Sequence, residues 1–128
     1  MGAPADIETT LTTLGRGPGG GLIVVNDTFN VANRDLIIEQ ASRHRVPAIY
    51  SDRAYVEAGG LVSHGINQID VWRQAAGYVD RILRGEQPAN LPVVQPARFE
   101  LVINLKTAKS LGLDISPALL SIADELME

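Results

Sequence analysis

Three short apolar runs, Leu22–Val25, Val46–Tyr50 and Leu61–Ser63, alternate along this chain with stretches of helical periodicity. No other feature restricts the fold as much. A run of this length bounded by turn residues reads as a strand covered on both faces. Between the runs, Ile7, Leu11 and Leu14 predict a helix over Asp6–Leu14, and a second helix spans Val31–Arg45. In the latter, Asn30 is the N-cap and Leu36, Ile37, Ile38 and Ala41 face inward. One or two helical turns follow at Arg53–Ala58, ended by Gly59-Gly60. A long helix covers Gln68–Arg84, with Trp72, Ala75, Val79 and Ile82 as a core-facing stripe, Asp80 and Arg84 paired on the polar side, and Gly85 as its cap. Strand and helix in strict alternation predict an α/β fold: a Rossmann-like, doubly wound parallel sheet with right-handed crossovers.

The last third has a different character. Pro88, Pro92 and Pro96 break up a segment that reads as an extended connector. Arg98–Ile103 is a further strand, Asn104 caps a short helix closed by Gly112, and Ser116-Pro117 opens a final helix running to Met127. The domain reading is a single unit over residues 1–128, with a core lobe at 22–85, a connector at 86–98, and a C-terminal strand and helices at 99–128.

Composition closes off several classes of function. Apolar residues make up 45% of the 128 and charged residues 20%, as in an ordinary globular domain. A net charge of −4 argues against nucleic acid, where a basic face would be expected to meet the phosphates. With no cysteine there are no disulfides, thiolate chemistry or cysteine metal sites. No apolar run approaches membrane-spanning length. The sequence Met-Gly-Ala-Pro-Ala-Asp is not a basic stretch leading into an apolar one, so a native start at Met1 predicts a cytoplasmic protein.

Gly15, Gly17 and Gly20 match GxGxxG, but they precede the first strand instead of following it. A dinucleotide site needs the reverse order, so that helix amides meet the pyrophosphate. The loop Gly15–Gly21 is read as a turn. His44 ends a basic helix terminus, and neither it nor His64 lies in a metal-ligand spacing. The pattern GxSxG is absent, and Lys106 and Lys109 are the only lysines. No catalytic group, metal or cofactor is assigned.

Three consecutive strand ends nevertheless carry short polar residues. Asn26, Asp27 and Thr28 follow the first, Tyr50, Ser51 and Asp52 the second, and His64, Gly65 and Asn67 the third. In an open parallel sheet, ligands gather at this carboxyl edge, where helix N-termini also point. Asp27 offers a carboxylate to an ammonium, Tyr50 a ring to stack on a ligand, and Gly65 room for close backbone approach. Asp27, Thr28, Ser51 and Asp52 equally suit helix caps. The alternative from another class is a flavodoxin-like enzyme using Asp27 and His64, or an effector-binding regulatory lobe.

Phe99–Ala108 reads FELVINLKTA and is followed by Leu111-Gly112. With Glu57-Ala58-Gly59-Gly60-Leu61-Val62-Ser63-His64-Gly65 and the proline-rich connector, it resembles the C-terminal lobe of solute-binding proteins of ABC-type importers. The resemblance is to the branch that includes binders of tryptophan and other aromatic amino acids, and it covers Leu22–Leu126. It implies one lobe of the type I periplasmic-binding fold, a small-molecule solute, an ABC permease in the full-length context, and a periplasmic location. It further implies that the connector and the strand at Leu101 belong to a hinge or cross to another lobe. A lone lobe leaves apolar surface, which predicts a homodimer, with exchange of the C-terminal strand or helix as one route.

Overall fold

Nearly every strand of this protein hands over to a helix within a few residues, and an Asx side chain closes the handover. The computed structural model describes residues 2–128. Helix α1 (Pro4–Arg16) leads to β1 (Leu22–Val24), followed by α2 (Thr28–Ala32) and α3 (Arg34–Arg43). Then come β2 (Ala48–Tyr50), α4 (Arg53–Glu57), β3 (Val62–Ile66) and α5 (Gln68–Leu83). A 3-10 turn at Pro88–Asn90 precedes β4 (Phe99–Asn104), α6 (Leu105–Leu111), α7 (Pro117–Ile122) and β5 (Glu125–Met127). Asp27, Asp52, Asn67 and Asn104 cap α2, α4, α5 and α6, each accepting a hydrogen bond from a first-turn amide. Such caps satisfy donors that would otherwise be left without a partner and are each worth about 1 kcal/mol.

The fold is α/β. Its five strands lie in chain order, β1-β2-β3-β4-β5, with parallel pairing at β1–β2, β2–β3 and β4–β5. At β3–β4 the sense reverses. Asn104 donates to the Leu61 carbonyl at 2.9 Å, and Asn67 donates to that of Arg98 at 3.0 Å, so the start of one strand meets the end of the other. The reversal follows from connectivity, because the excursion between β3 and β4 leaves and re-enters the sheet at one end.

The chain divides into two compact units. The first comprises the residues up to Gly65 together with Glu100–Glu128. Its core gathers Ile7 and Leu11 of α1, Val24 of β1, Ile37, Ile38 and Ala41 of α3, and the rings of Tyr50 and Tyr55. Val102 and Ile103 of β4 are fully buried. Gly15, expected in a loop, lies inside α1, where a Cβ would come 2.8 Å from the His44 carbonyl oxygen; glycine there lets the end of α3 approach α1. The expected helix over Val31–Arg45 is two helices, since Asp27 starts α2 early and the chain breaks at Asn33 before α3 begins. Asn30 is no cap. Its side-chain amide donates to the Val25 carbonyl and to Asp27.

The final helix stops at Ile122 rather than at Met127, and Glu125–Met127 forms β5. Asp124 ties this turn down, its carboxylate accepting from the Leu101 amide at 2.7 Å while its own amide donates to the Leu101 carbonyl. Helical spacing in Leu119–Met127 therefore lost to strand pairing available only in the assembled sheet. The C-terminal strand pairs within its own chain.

The second unit, residues 66–99, consists of α5 and the proline-rich segment. The Tyr78 hydroxyl donates to the Pro92 carbonyl, and Arg98 reaches Asp70 at 3.4 Å. The expected Asp80–Arg84 pair forms at 3.0 Å, and Gly85 adopts the left-handed conformation that ends the helix, at φ +100°. The apolar stripe of α5 is not core. Trp72 is 71% exposed, Ile69, Val79 and Leu83 are exposed as well, and no residue of α5 is buried. A unit of this size cannot cover an amphipathic helix by itself.

Candidate functional site

At the carboxyl end of β1, Asn26, Asp27 and Thr28 are exposed and line a shallow depression together with Val31 and Ala32. The Asp27 carboxylate accepts from the Asn30 backbone amide at 2.8 Å and from the Asn30 side chain at 2.9 Å. At the end of β2 the Ser51 amide donates to the Val24 carbonyl at 3.2 Å, which fixes this end beside that of β1. Asp52 accepts from the Ala54 amide at 2.8 Å. One oxygen of each aspartate is thus used for capping, yet both carboxylates stay at the strand-end rim.

Tyr50 does not serve as a ligand platform here. It is 2% exposed, and its ring stacks on that of Tyr55, centroids 4.8 Å apart and 17° from parallel. It sits on β2 with Ala48, on the side covered by α3, and the parity of the strand sends it inward. Burial, and then the neighbouring Tyr55, push its phenol up to about 12.

Gly65 brings the ends of β2 and β3 together. A Cβ at this position would fall 1.9 Å from the Ser51 carbonyl oxygen, so only glycine allows the two backbones this close. The close approach expected of Gly65 is therefore made by the protein's own chain. His64 is exposed beside it, while Ser63 points inward and is 1% exposed. Asn67 belongs to the second unit, where it caps α5 by accepting from the Asp70 amide at 3.1 Å.

Tyr55, in α4, was not marked by the sequence pattern. Its hydroxyl is buried without a hydrogen-bond partner, as are those of Ser51 and Ser63. Burial raises its pKa, with Asp27 and then Asp52 adding to the effect and Arg34 opposing it, so both rim carboxylates act on this one hydroxyl. An aromatic residue three places after the capping Asp52 was the signal available in the sequence. The rim of the first unit is acidic: Asp27 and Asp52 stand there, and Arg34 pairs with Asp35 at 2.9 Å. Among the described residues no cluster of three or more His, Asp or Glu could hold a metal ion.

Comparison with known proteins agrees with this architecture. A conserved domain protein from Vibrio cholerae, of known structure, is similar at TM-score 0.78 and 26% identity, covering 96% of this chain and 41% of that one. The ABC domain from Streptococcus pneumoniae, solved in complex with L-Trp, gives TM-score 0.81 and 25% identity over 99% of this chain and 44% of its own. The ligand-free, open structure of CD0873 from Clostridium difficile, a substrate binding protein with adhesive properties, shares the fold at TM-score 0.69 and 19% identity; the overlap is 99% of this chain and 42% of that one. An uncharacterized Rickettsia prowazekii protein, RP367, is 28% identical over 85 residues, 66% of this chain and 28% of that protein. The chain thus spans less than half the length of each of these relatives. The family of ABC transporter substrate binding proteins matches residues 3–127, and the chain belongs to it.

Proposed function

We propose that this chain is the solute-binding component of an ABC-type importer and carries the C-terminal lobe of a two-lobed receptor. The observation that carries the reading is the acidic, polar rim at the ends of β1, β2 and β3, in a chain whose family match covers residues 3–127. Asn26, Asp27, Thr28, Ser51, Asp52, His64 and Gly65 are the proposed contacts. Asn67, in the second unit, is proposed on its residue type alone. Tyr50 is left out by its burial. A rim of carboxylates and amide oxygens selects a solute that presents donors, such as an ammonium or several hydroxyls. The pneumococcal relative bound to L-Trp supports a small organic solute of this kind.

On this reading the protein binds without turnover, outside the cytoplasmic membrane, and passes its solute to an ABC permease. More than half the length of each relative of known structure lies outside the region this chain matches. Alone, the chain holds half of a site and leaves apolar surface, which favours a homodimer.

Titration calorimetry with L-tryptophan, simple primary amines and polyols tests this reading. The expectation is weak binding, of order millimolar, because one lobe buries little of a solute. Asp27→Asn and Asp52→Asn keep the caps, since asparagine caps as well as aspartate, but remove the charge. Each should weaken binding of an amine about tenfold without moving the melting temperature. Binding indifferent to both substitutions, or no binding by any of these solutes, would overturn the reading. Chemical conversion of a solute that stops in Asp27→Asn would favour the enzyme alternative.

A further inference from the structure

The enclosed hydroxyls of Ser51, Tyr55 and Ser63, none with a hydrogen-bond partner, all belong to the first unit. They gather at the carboxyl end of β2. Ser51 follows that strand, Ser63 on β3 is the register partner of Tyr50, and the Tyr55 ring stacks on the ring of Tyr50. A hydroxyl enclosed in this way carries an uncompensated desolvation penalty, and natural folds keep few of them. Phenylalanine at position 55 would keep the stack without that penalty, so packing of the ring does not account for the hydroxyl. Groups of this kind persist where function uses them.

Tyr55 is 2% exposed, yet its phenol feels the rim. Burial first, and then the charges of Asp27 and Asp52, raise its pKa and keep it neutral. The hydroxyl end of the ring therefore faces the two carboxylates from the core side. A neutral phenol both donates and accepts, whereas the carboxylates only accept. A solute group that bridges them must donate to a carboxylate and accept from the phenol. A hydroxyl does both. An ammonium has no lone pair and leaves the phenol O–H without a partner.

We propose that Tyr55 is a specificity-determining residue of the solute site, its hydroxyl donating to a solute hydroxyl that in turn donates to Asp27 or Asp52. The class selected is a hydroxylated solute, a polyol or an amino alcohol, ahead of a plain amine. Reaching the phenol takes a local opening beside Asp27. The adjoining α2 has five residues and none is buried, so such an opening is easily made. The role of Tyr55 rests on the solute-binding reading and refines it.

Titration calorimetry with a matched pair, ethanolamine and ethylamine, tests this on the wild type, Tyr55→Phe and Asp27→Asn. Ethanolamine should bind the wild type about three- to tenfold more tightly, as one added hydrogen bond contributes. Tyr55→Phe should erase that preference, leave the affinity for ethylamine unchanged and raise the melting temperature. Asp27→Asn should weaken both solutes. Equal affinity of the two solutes for the wild type, or a preference that survives in Tyr55→Phe, would overturn the role of Tyr55 and leave the solute-binding reading standing. Equal weakening of both solutes in Tyr55→Phe would do the same, since a purely structural role moves both alike. No binding of either solute by the wild type would overturn the reading and the role of Tyr55 together.

Discussion

The guanidinium of Arg53 lies 2.9 Å from the carboxylate of Glu125, 72 residues further along the chain. The same arginine bonds Glu57 at 2.8 Å and approaches Glu100 at 3.5 Å, so one side chain of α4 ties together its own helix, β4 and β5. Of the three acids, Glu100 is the most enclosed, its side chain 13% exposed. Exposed ion pairs are each worth little, but a partly sheltered network with one shared partner is worth more. Arg53→Met should cost about 1–2 kcal/mol in urea denaturation. Amide exchange within β5 should rise more than elsewhere, and uniform loosening of the sheet would contradict this account.

Gly65→Ala should be among the most damaging single-methyl changes available in this chain. The new methyl would meet the rigid Ser51 carbonyl at 1.9 Å, with no flexible side chain to yield. A loss of about 3 kcal/mol or more is expected. Gly77→Ala is the control: it lies mid-way along α5 with nothing within 4 Å of the added carbon, and should stabilise by about 0.5–1 kcal/mol.

Tyr50 predicts the response to alkali. The folded state holds the neutral phenol, raising it from 10.0 to about 12, so the unfolded chain ionises first as pH rises. Stability from this group is complete below pH 10 and drains away between pH 10 and 12. Two units correspond to about 2–3 kcal/mol. Tyr50→Phe should flatten that decline in chemical denaturation curves recorded across the range, with little change near neutrality. An unaltered decline would mean that other groups control alkaline unfolding.

Tyr55→Phe should stabilise the folded protein. Removing a buried hydroxyl that has no partner relieves a desolvation penalty of about 1 kcal/mol, while the ring keeps its stack on Tyr50. A rise in melting temperature is the readout. A fall would show that the hydroxyl is hydrogen-bonded in solution.

Much of this molecule was legible in order of residues alone. Apolar runs gave strands at Leu22, Ile49 and Val62, and Asp52, Asn104 and Ser116 announced the starts of their helices, because capping is a local matter of one side chain and the next few amides. The polar residues after the first two strands were equally plain, since parallel neighbours bring their carboxyl ends side by side, as the bond from the Ser51 amide to the Val24 carbonyl records. What the order of residues left open was which apolar side chains would find a partner. Tyr50 read as a ring open to a ligand and Trp72 as core, and the structure reverses both: the first is sealed by Tyr55, and the second stands exposed on α5. The helical pattern near Leu126 gave way to β5 once β4 and Arg53 were in place to receive it. Local chemistry is written in spacing. Burial, edge pairing and the closeness of Gly65 to Ser51 depend on elements distant in sequence, and only the assembled sheet decides them.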